Sequence, residues 1–312
     1  VAPAQAAWYQ AYVNAFVSVL NGAGYRDPVN GYIRYIDPDS WVDHHILNVL
    51  AMNVDALRLS GYMFKGRERR LEMGPIWDFD RSMNSTDGRD DNPRTWKGTG
   101  DATDFFNYPW WGRLFTDLDF WQRWKDRWQE LRKDQLGVAS MNAIIDNMAN
   151  EVRESQARNF QRWSLLGGRT WQGEVNLMKG WLSTRAEWID SQFLAAPVLS
   201  SQGRPITPGF TLTISAAAGT IYFTMDGRDP RAPGGVAAAG VDVYSGPITL
   251  DANARVVARA TRSASDWSGP AAGTFVVETP RLVVSELMYH PLDPPPGSPY
   301  DADDFEFVEL LN

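Results

Sequence analysis

Cysteine is absent from this chain of 312 residues. Its absence excludes a disulfide framework and any metal site built from thiolates, although it does not fix the cellular compartment. Long apolar runs are also absent, so no transmembrane helix of about 18 or more residues is predicted. The chain starts without an initiator methionine and without the charged, apolar and cleavage segments of a signal peptide. We therefore expect this chain to be a piece of a longer protein. Targeting signals of that protein could lie outside the given sequence.

Basic residues are in deficit, and the formal net charge is −8. This balance argues against a nucleic-acid partner held by phosphate contacts. Histidine is also scarce, and His44 and His45 fall on a predicted helix with no nucleophile motif nearby. The sequence therefore does not support a Ser/His/Asp hydrolase. We expect His45 to be a packed or an exposed helix residue.

The composition changes near Ala195. All the lysines and all but one of the tryptophans precede this point, and Trp267 is the exception. The remainder is rich in Ala, Gly, Pro, Thr and Val, and its acidic residues outnumber its arginines. Such a shift indicates a domain boundary. We expect a multidomain α+β protein with a mainly helical domain over 1–195, a small β domain over 196–279 and a third unit over 280–312.

Apolar residues recur at helical spacing along much of the first domain. Residues 31–36 are instead predicted to be extended. Asp37 followed by Pro38 predicts a helix start, with the aspartate as N-cap and the proline in the first turn. The predicted helices span residues 8–20, 38–52, 110–115, 120–131, 138–163 and 172–193.

Acidic residues flank a predicted β-hairpin in the first domain. Residues 62–65 and 70–76 form its strands, and a charged turn joins them. Because a hairpin brings its ends together, we expect Asp55 before it and Asp78 and Asp80 after it to share one pocket. Carboxylates at such close range repel each other unless a proton or a cation joins them. Hard divalent cations with oxygen ligands, often completed by phosphates, are the usual solution.

A polar loop over residues 82–104 leaves directly from Asp80. A loop of about 20 residues in a compact domain is more often functional than accidental. Its acidic residues form either a calcium site or a solvated acidic surface. These residues are Asp87, Asp90, Asp91, Asp101 and Asp104.

A period of two replaces the helical pattern after Pro197. Short predicted strands separated by turn signals such as Asp226-Gly227 indicate a small β-sandwich. A third unit follows Pro280, with predicted strands over 281–289 and 305–311. Because two strands do not form a stable domain, we expect the sequence to stop inside this third module. The strands predicted for the sandwich span 210–215, 220–225, 247–250, 255–261 and 274–278.

Residues 30–193 resemble the CotH kinase family, the atypical kinases named for a spore-coat protein. Ile36-Asp37 and Ser40 at a helix start, and a later stretch from Trp111 to Trp163, carry part of the resemblance. The combined motif is specific, whereas the Trp-Asp-Phe-Asp segment alone is weak. The resemblance implies a kinase catalytic-lobe fold and phosphoryl transfer from ATP with Mg²⁺ or Mn²⁺. The central part of the motif is Asn53, Asp55, Arg58, Ser60, Tyr62, Gly74-Pro75 and Trp77-Asp78-Phe79-Asp80.

Protein kinases place an asparagine five residues after the catalytic-loop aspartate, and a metal-binding aspartate after a hairpin. By this comparison, Asp55 orients or deprotonates the acceptor hydroxyl. Asp78 holds the metal that bridges the nucleotide phosphates. Asp80 binds a second metal or orients the first shell. Ser60 stands where ordinary kinases have the asparagine, and a hydroxyl is a weaker metal ligand.

Three further residues are candidates by the same comparison. Asn53 would contact the metal or the substrate, and Arg58 would pair with Asp55 or with a phosphate. Lys65 on the hairpin would reach a phosphate. The glycine-rich loop and the strand lysine that clamp phosphates in kinases have no counterpart before Asn53. We therefore expect the nucleotide-binding lobe to lie outside this sequence and the fragment alone to be inactive.

The two later units resemble other families. Residues 197–278 are similar to the small β domain at the C-terminus of chitobiase and related hexosaminidases, chiefly through 221–230 and 256–260. Residues 282–289 and 304–312 look like the start of a lamin-tail domain, an immunoglobulin-like sandwich. The chitobiase-type domain is non-catalytic and typical of secreted bacterial proteins. This resemblance implies a secreted or cell-surface location.

Three hypotheses follow. The first is a secreted, divalent-metal-dependent kinase that phosphorylates a protein hydroxyl. The second is a surface or adhesion protein with a degenerate kinase-like domain and β modules that bind carbohydrate or protein. In the third, Asp55, Asp78 and Asp80 are purely structural. The first requires the Asp55 and Asp78 carboxylates to face one cleft, close enough to share a cation, and the third gains if arginines seal them.

Overall fold

The computed structural model describes residues 2–99, 104–163, 168–278 and 283–311. Over these ranges the chain has the mixed α+β fold that the sequence predicts, with helices in the first part and short strands in the rest. Among the described residues, no helix combines the length and the apolar character needed to cross a membrane. The helices are α1 (Pro3–Asn21), α2 (Pro38–Ala51), α3 (Trp111–Leu114), α4 (Leu118–Lys133), α5 (Val138–Glu151), α6 (Arg153–Arg162) and α7 (Trp171–Ser191).

Helix α2 begins where the sequence predicts. The Asp37 side chain accepts hydrogen bonds from the backbone N–H groups of Asp39 and Ser40, each at 3.0 Å. Pro38 occupies the first turn, where its missing N–H needs no partner. The helix ends at Met52, whose φ of 49° is left-handed. The predicted N-cap is therefore confirmed.

The core of the helical region is aromatic. Trp41, Trp124 and His45 are fully buried in it. Trp124 Nε1 donates to His45 Nδ1 at 3.0 Å, so His45 Nε2 carries the proton and donates to the carbonyl of Phe105 at 3.0 Å. Burial lowers the pKa of His45 to about 3, which leaves the imidazole neutral. His45 is thus a packed core residue.

Two predictions of secondary structure are wrong. Residues 31–36 are not extended throughout, because Tyr32–Arg34 forms a 3₁₀ turn, whereas Ile36 pairs with Leu71 in a β-bridge. Just before this 3₁₀ turn, the Asp27 carboxylate accepts hydrogen bonds from the backbone N–H groups of Val29 and Asn30. These bonds close a separate turn over residues 27–30. The helix predicted over 138–163 is divided into α5 and α6 at Val152, whose backbone has φ −95° and ψ 5°. Apolar periodicity continues across such a kink and does not reveal it.

The predicted hairpin is confirmed. Strands β1 (Met63–Lys65) and β2 (Leu71–Met73) are antiparallel, and Met63 faces Met73 across the pair. The hairpin is tied to α2 because Trp41 Nε1 donates to the carbonyl of Leu71 at 3.0 Å. The backbone N–H of Leu71 donates to the carbonyl of Tyr35 at 2.8 Å.

A separate all-β unit follows α7. Its strands are β3 (Val198–Leu199), β4 (Gly203–Pro205), β5 (Phe210–Leu212), β6 (Ile214–Ser215), β7 (Thr220–Thr224), β8 (Asp242–Val243), β9 (Ile248–Leu250), β10 (Ala254–Ser263), β11 (Asp266–Trp267) and β12 (Ala271–Val276). The main sheet has the strand order β4-β12-β10-β7-β8, with β11 beside β10, and β3–β6 and β5–β9 form two further pairs. Val256, Phe275 and Leu212 are fully buried in a single core between these sheets.

The last described segment is a two-stranded antiparallel sheet of β13 (Val283–Met288) and β14 (Phe307–Leu311). Both predicted strands are therefore present. Large apolar side chains on this sheet, including Leu287 and Leu310, are exposed.

Polar side chains buried between α4 and the β unit join the two regions. Arg259 on β10 is only 3% exposed, and its guanidinium bonds to the carboxylates of Asp126 and Asp229 and to the carbonyl of Ser268 at 2.7–2.8 Å. Burial opposes the charge, but the two carboxylates raise the pKa of Arg259 above its usual range. Lys125 on α4 is also buried and donates to the carbonyl of Trp267 at 3.0 Å.

We predict that Arg259→Met lowers the free energy of unfolding by about 2 kcal/mol, because it removes several charge-assisted hydrogen bonds at once. Urea unfolding of the 312-residue chain measures the change. Arg255→Met is the matched control, since Arg255 lies on the same strand but is exposed. Equal stability of the two variants would contradict a structural role for the Arg259 contacts.

Because Lys125 is buried, we expect the free energy of unfolding to depend on pH. Burial lowers the pKa of Lys125 to about 8, from 10.5 for an exposed lysine. Between these values the unfolded chain binds more protons than the folded one, so the free energy of unfolding rises as the pH increases from about 8 to about 10.5. We expect Lys125→Met to lose this increment when both proteins are unfolded in urea across that range. Identical pH profiles would refute the assignment.

Candidate functional site

A tight turn after α2 presents Asp55. The backbone N–H of Asn53 donates to the carbonyl of Asn48 at 3.0 Å, which closes the end of the helix. The Asp55 carbonyl then accepts the backbone N–H groups of Leu59 and Ser60 at 2.9 and 3.1 Å. These bonds curl residues 55–60 back on themselves just before the hairpin. The turn fixes the position of Asp55 on the protein surface.

The Asn53 side chain joins this turn to the segment that follows the hairpin. It is fully buried, and its Nδ2 donates to the carbonyl of Asp78 at 3.0 Å. Its Oδ1 accepts from the backbone N–H of Asp55 at a longer distance of 3.4 Å. Ser60 makes a second connection, because its hydroxyl donates to Asp78 Oδ2 at 3.0 Å. The Asp55 and Asp78 segments are thus held side by side, while a pocket shared by their carboxylates stays a prediction.

Backbone bonds reinforce this arrangement. The N–H of Val54 donates to the carbonyl of Arg81 at 3.3 Å, and the N–H of Met83 donates to the carbonyl of Ala51 at 2.9 Å. Asp78 has a φ of 62°, a left-handed conformation that aspartate tolerates better than most residues. This conformation leaves the Asp78 residue exposed at the surface.

Two arginines contact the carboxylate of Asp55, whose side chain is 20% exposed. Arg58 Nη2 donates to Asp55 Oδ1 at 3.0 Å, and Arg89 Nη2 donates to the same oxygen at 3.4 Å. Within the described residues, the hydrogen bonds to Asp55 engage Oδ1, and the bond to the Asp78 carboxylate engages Oδ2. Each carboxylate therefore keeps one oxygen for another partner.

Arg89 belongs to an ionic chain on the polar loop. Asp87 accepts hydrogen bonds from both Arg89 and Arg81. These guanidinium groups, Arg89 first, hold the pKa of Asp87 far below its usual range. The Asp87 carboxylate in turn raises the pKa of Arg89. The polar loop therefore places the positively charged guanidinium of Arg89 beside the Asp55 carboxylate.

The described acidic residues of the polar loop differ in their surroundings. Asp87 is ion-paired, and Asp90 is fully buried, where it accepts from the backbone N–H and the hydroxyl of Ser85. Asp104 caps the backbone N–H of Phe106 at 3.3 Å. Asp101 lies outside the described residues. Asp87, Asp90 and Asp104 thus hold the conformation of the loop, whereas the Asp91 residue is exposed.

Arg185 on α7 fastens the loop to the end of α2. It is fully buried and donates to the carbonyl of Val49 on α2 at 2.8 and 3.1 Å. It also donates to the loop carbonyls of Pro93, at 3.1 Å, and of Thr95. Burial lowers the pKa of Arg185 to about 9. No local signal in the sequence identifies this residue, because all these acceptors are backbone carbonyls far from it along the chain.

Two of the predicted site residues lie apart from this frame. The Asp80 side chain is 72% exposed, and its carboxylate is 3.8 Å from Arg81 Nε. Lys65 Nζ donates to the carbonyls of Gly66 and Arg67 at the hairpin turn and lies over the rings of Trp8 and Tyr12 on α1. The structure therefore places Lys65 against α1, and Asp80 at the solvent edge of the site.

The oxygen donors at this site fit a hard divalent cation better than a soft one. The described parts of the chain contain no group of three or more His, Cys, Asp or Glu residues able to hold a metal. Asp55, Asp78 and Asp80 are thus not a three-ligand cage. Mg²⁺ in phosphoryl-transfer sites is usually held by one or two carboxylates together with substrate phosphates. Asp78, with Asp80 nearby in sequence, could supply such a minimal set.

An aspartate-bearing turn, a hairpin and a second aspartate follow one another here, as they do in the catalytic lobe of a kinase. The sequence model of the CotH kinase protein family matches residues 4–189, more than half of the chain. The chain belongs to the CotH kinase protein family. No curated protein and no solved structure matches it. The chitobiase-type and lamin-tail resemblances of the later units remain predictions.

We predict that Asn53→Ala destabilises the fold by about 2 kcal/mol, because it removes a buried amide that bonds to the carbonyl of Asp78 and to the backbone N–H of Asp55. Hydrogen exchange of the peptides that cover residues 76–83 should accelerate as this segment detaches from the turn. Asn176→Ala, on the exposed face of α7, is the control. If exchange over 76–83 is unchanged, Asn53 does not hold the two segments together.

Proposed function

We propose that this chain contains the catalytic-lobe part of an atypical protein kinase, which transfers a phosphoryl group from ATP to a protein hydroxyl with Mg²⁺ or Mn²⁺. One observation supports this function most strongly. Two aspartates of a CotH kinase domain are held side by side by Asn53 and Ser60, and the hydrogen bonds that orient each carboxylate engage one oxygen. A proton acceptor and a cation ligand each need such an oriented but still available carboxylate.

Asp55 is the proposed proton acceptor. In the transfer, the acceptor oxygen bonds to the γ-phosphorus while the bond from that phosphorus to the ADP oxygen breaks. Asp55 Oδ2 would take the hydroxyl proton. Arg58 and Arg89 hold the other oxygen and keep the carboxylate in one orientation. Their positive charge also suits a site that receives phosphates.

Asp78 is the proposed metal ligand, with Asp80 as a second ligand or as an orienting group. The cation, when bound, would neutralise charge on the nucleotide phosphates. Ser60 then acts by orienting Asp78 through its hydroxyl. We assign Asn53 a positioning role, because both ends of its buried amide are already engaged within the protein.

A non-catalytic surface or adhesion protein is the second candidate. The observation that favours it is the pairing of Asp55 with Arg58 and Arg89, which is also what a structural carboxylate would show. In that case the β modules would supply the function by binding a carbohydrate or a protein ligand. Under either candidate, we propose a secreted or cell-surface location and no nucleic-acid partner.

We predict that a longer protein, which joins this chain to the nucleotide-binding lobe expected outside it, binds Mn²⁺-ATP through Asp78, and isothermal titration calorimetry tests this directly. Asp78→Asn should abolish measurable metal-dependent binding. Ser60→Ala should weaken binding about 10-fold to 100-fold, because it removes the hydrogen bond that orients the ligand. Asp226→Asn in the β unit is the control for a lost surface carboxylate. If neither the wild type nor any variant binds, the non-catalytic candidate replaces the kinase.

A further inference from the structure

A small apolar pocket lies directly beside Asp55. It encloses about 300 Å³, and its walls include Leu57, Met63, Met73, Tyr108 and Trp110. We propose that it binds one apolar side chain of the protein acceptor, next to the hydroxyl that receives the phosphoryl group. This assignment of substrate class rests on the kinase function proposed above.

The pocket and the Asp55 site are built from the same turn. Leu57, Arg58 and Gly61 line the pocket, and they belong to or directly follow the tight turn that begins at Asp55. Arg58 lines the pocket and also donates to the Asp55 carboxylate at 3.0 Å. An acceptor segment whose hydroxyl lies at Asp55 would therefore lie beside the pocket through the shared residue Arg58.

The two walls differ in character. Met63 and Met73 face each other across the hairpin and form an adaptable wall, since methionine fills irregular spaces easily. Trp110 forms a fixed wall, because its ring packs against two aromatic residues of the core. The ring centroids of Trp110 and Phe16 are 5.7 Å apart, and those of Trp110 and Trp41 are 6.1 Å apart. Its backbone φ of 72° is rare for a bulky residue. The backbone is thus held in a conformation that presents Trp110 to the pocket.

The chemistry of the lining selects the occupant. Among the described residues that line the pocket, Arg58 carries the only charge, and the others are apolar or aromatic apart from the hydroxyl of Tyr108. A lysine or arginine of the acceptor would therefore lie against a mainly apolar lining, with no carboxylate among these described residues to pair with. The volume is at the lower end of the range for ligand pockets, about 300–1,000 Å³, so it suits one side chain better than a nucleotide. A Leu, Met or Phe residue beside the acceptor hydroxyl fits both the apolar lining and the small volume of the pocket.

Methyl NMR of the 312-residue chain tests the pocket without relying on catalysis. The methionine methyl groups are ¹³C-labelled, and Met63→Leu and Met73→Leu identify the two signals. Blocked peptides with Ser flanked by Leu, by Gly or by Lys are then titrated. We expect the Met63 and Met73 signals to shift with the Leu peptide and not with the Lys peptide. No response to the Leu peptide, or an equal response to both, overturns the proposal.

Phosphorylation of the same peptides with Mg²⁺-ATP, by a longer protein that joins this chain to the expected nucleotide-binding lobe, provides the second arm. Met63→Trp should fill the pocket and raise the KM for the Leu peptide about 10-fold, the discrimination that an apolar pocket typically gives. The KM for ATP should not change. Phe64→Trp is the matched control, because the adjacent strand residue points to the opposite face and does not line the pocket. Equal KM values for the Leu peptide in both variants would refute the assignment.

The two arms separate the pocket from the proposed kinase function. Selective methyl shifts without any phosphorylation would support the pocket and refute the kinase. Phosphorylation of the Leu, Gly and Lys peptides with equal kcat/KM would support the kinase and refute the pocket.

Discussion

The buried amide of Asn53 is the contact on which the candidate site depends. One side chain accepts from the backbone of Asp55 and donates to the backbone of Asp78, and it is fully buried while it does so. A buried amide that loses its partners is costly, so the two segments are strongly favoured to stay together. The hairpin lies between these segments in sequence, and its strands are anchored on α2 through Trp41. The site is therefore attached to the helical core through the hairpin and the Asn53 amide.

Arginine, more than any metal cage, organises the charge around this frame. Arg58 and Arg89 share one oxygen of Asp55, and Asp87 links Arg89 to Arg81. Arg185 holds the polar loop against α2, because it donates to backbone carbonyls of both. Helix α2, which leads into the site, is also paired with α4, and α4 carries the buried contacts to the β unit. Local contacts thus connect the site with the more distant all-β unit.

The sequence predicts the features that depend on near neighbours. The N-cap at Asp37, the hairpin and the close approach of the Asp55 and Asp78 segments all follow from short-range patterns, and the structure has each of them. The roles of Arg89 and Arg185 could not be predicted, because their partners are distant in sequence or are backbone carbonyls that carry no residue identity. The break between α5 and α6 at Val152 could not be predicted, because apolar periodicity persists through a single non-helical residue.

Electron–nuclear double resonance of Mn²⁺-ATP, bound to a longer protein that joins this chain to the expected nucleotide-binding lobe, distinguishes the roles of Asp55 and Asp78. The protein is labelled with ¹³C at the aspartate carboxylates, so that a coordinated carboxylate gives a resolved coupling to the metal. We expect a coupling that disappears in Asp78→Asn and persists in Asp55→Asn, because Asp78 is the proposed metal ligand and Asp55 the proposed proton acceptor. A coupling that survives Asp78→Asn would contradict the assignment of the metal to this aspartate.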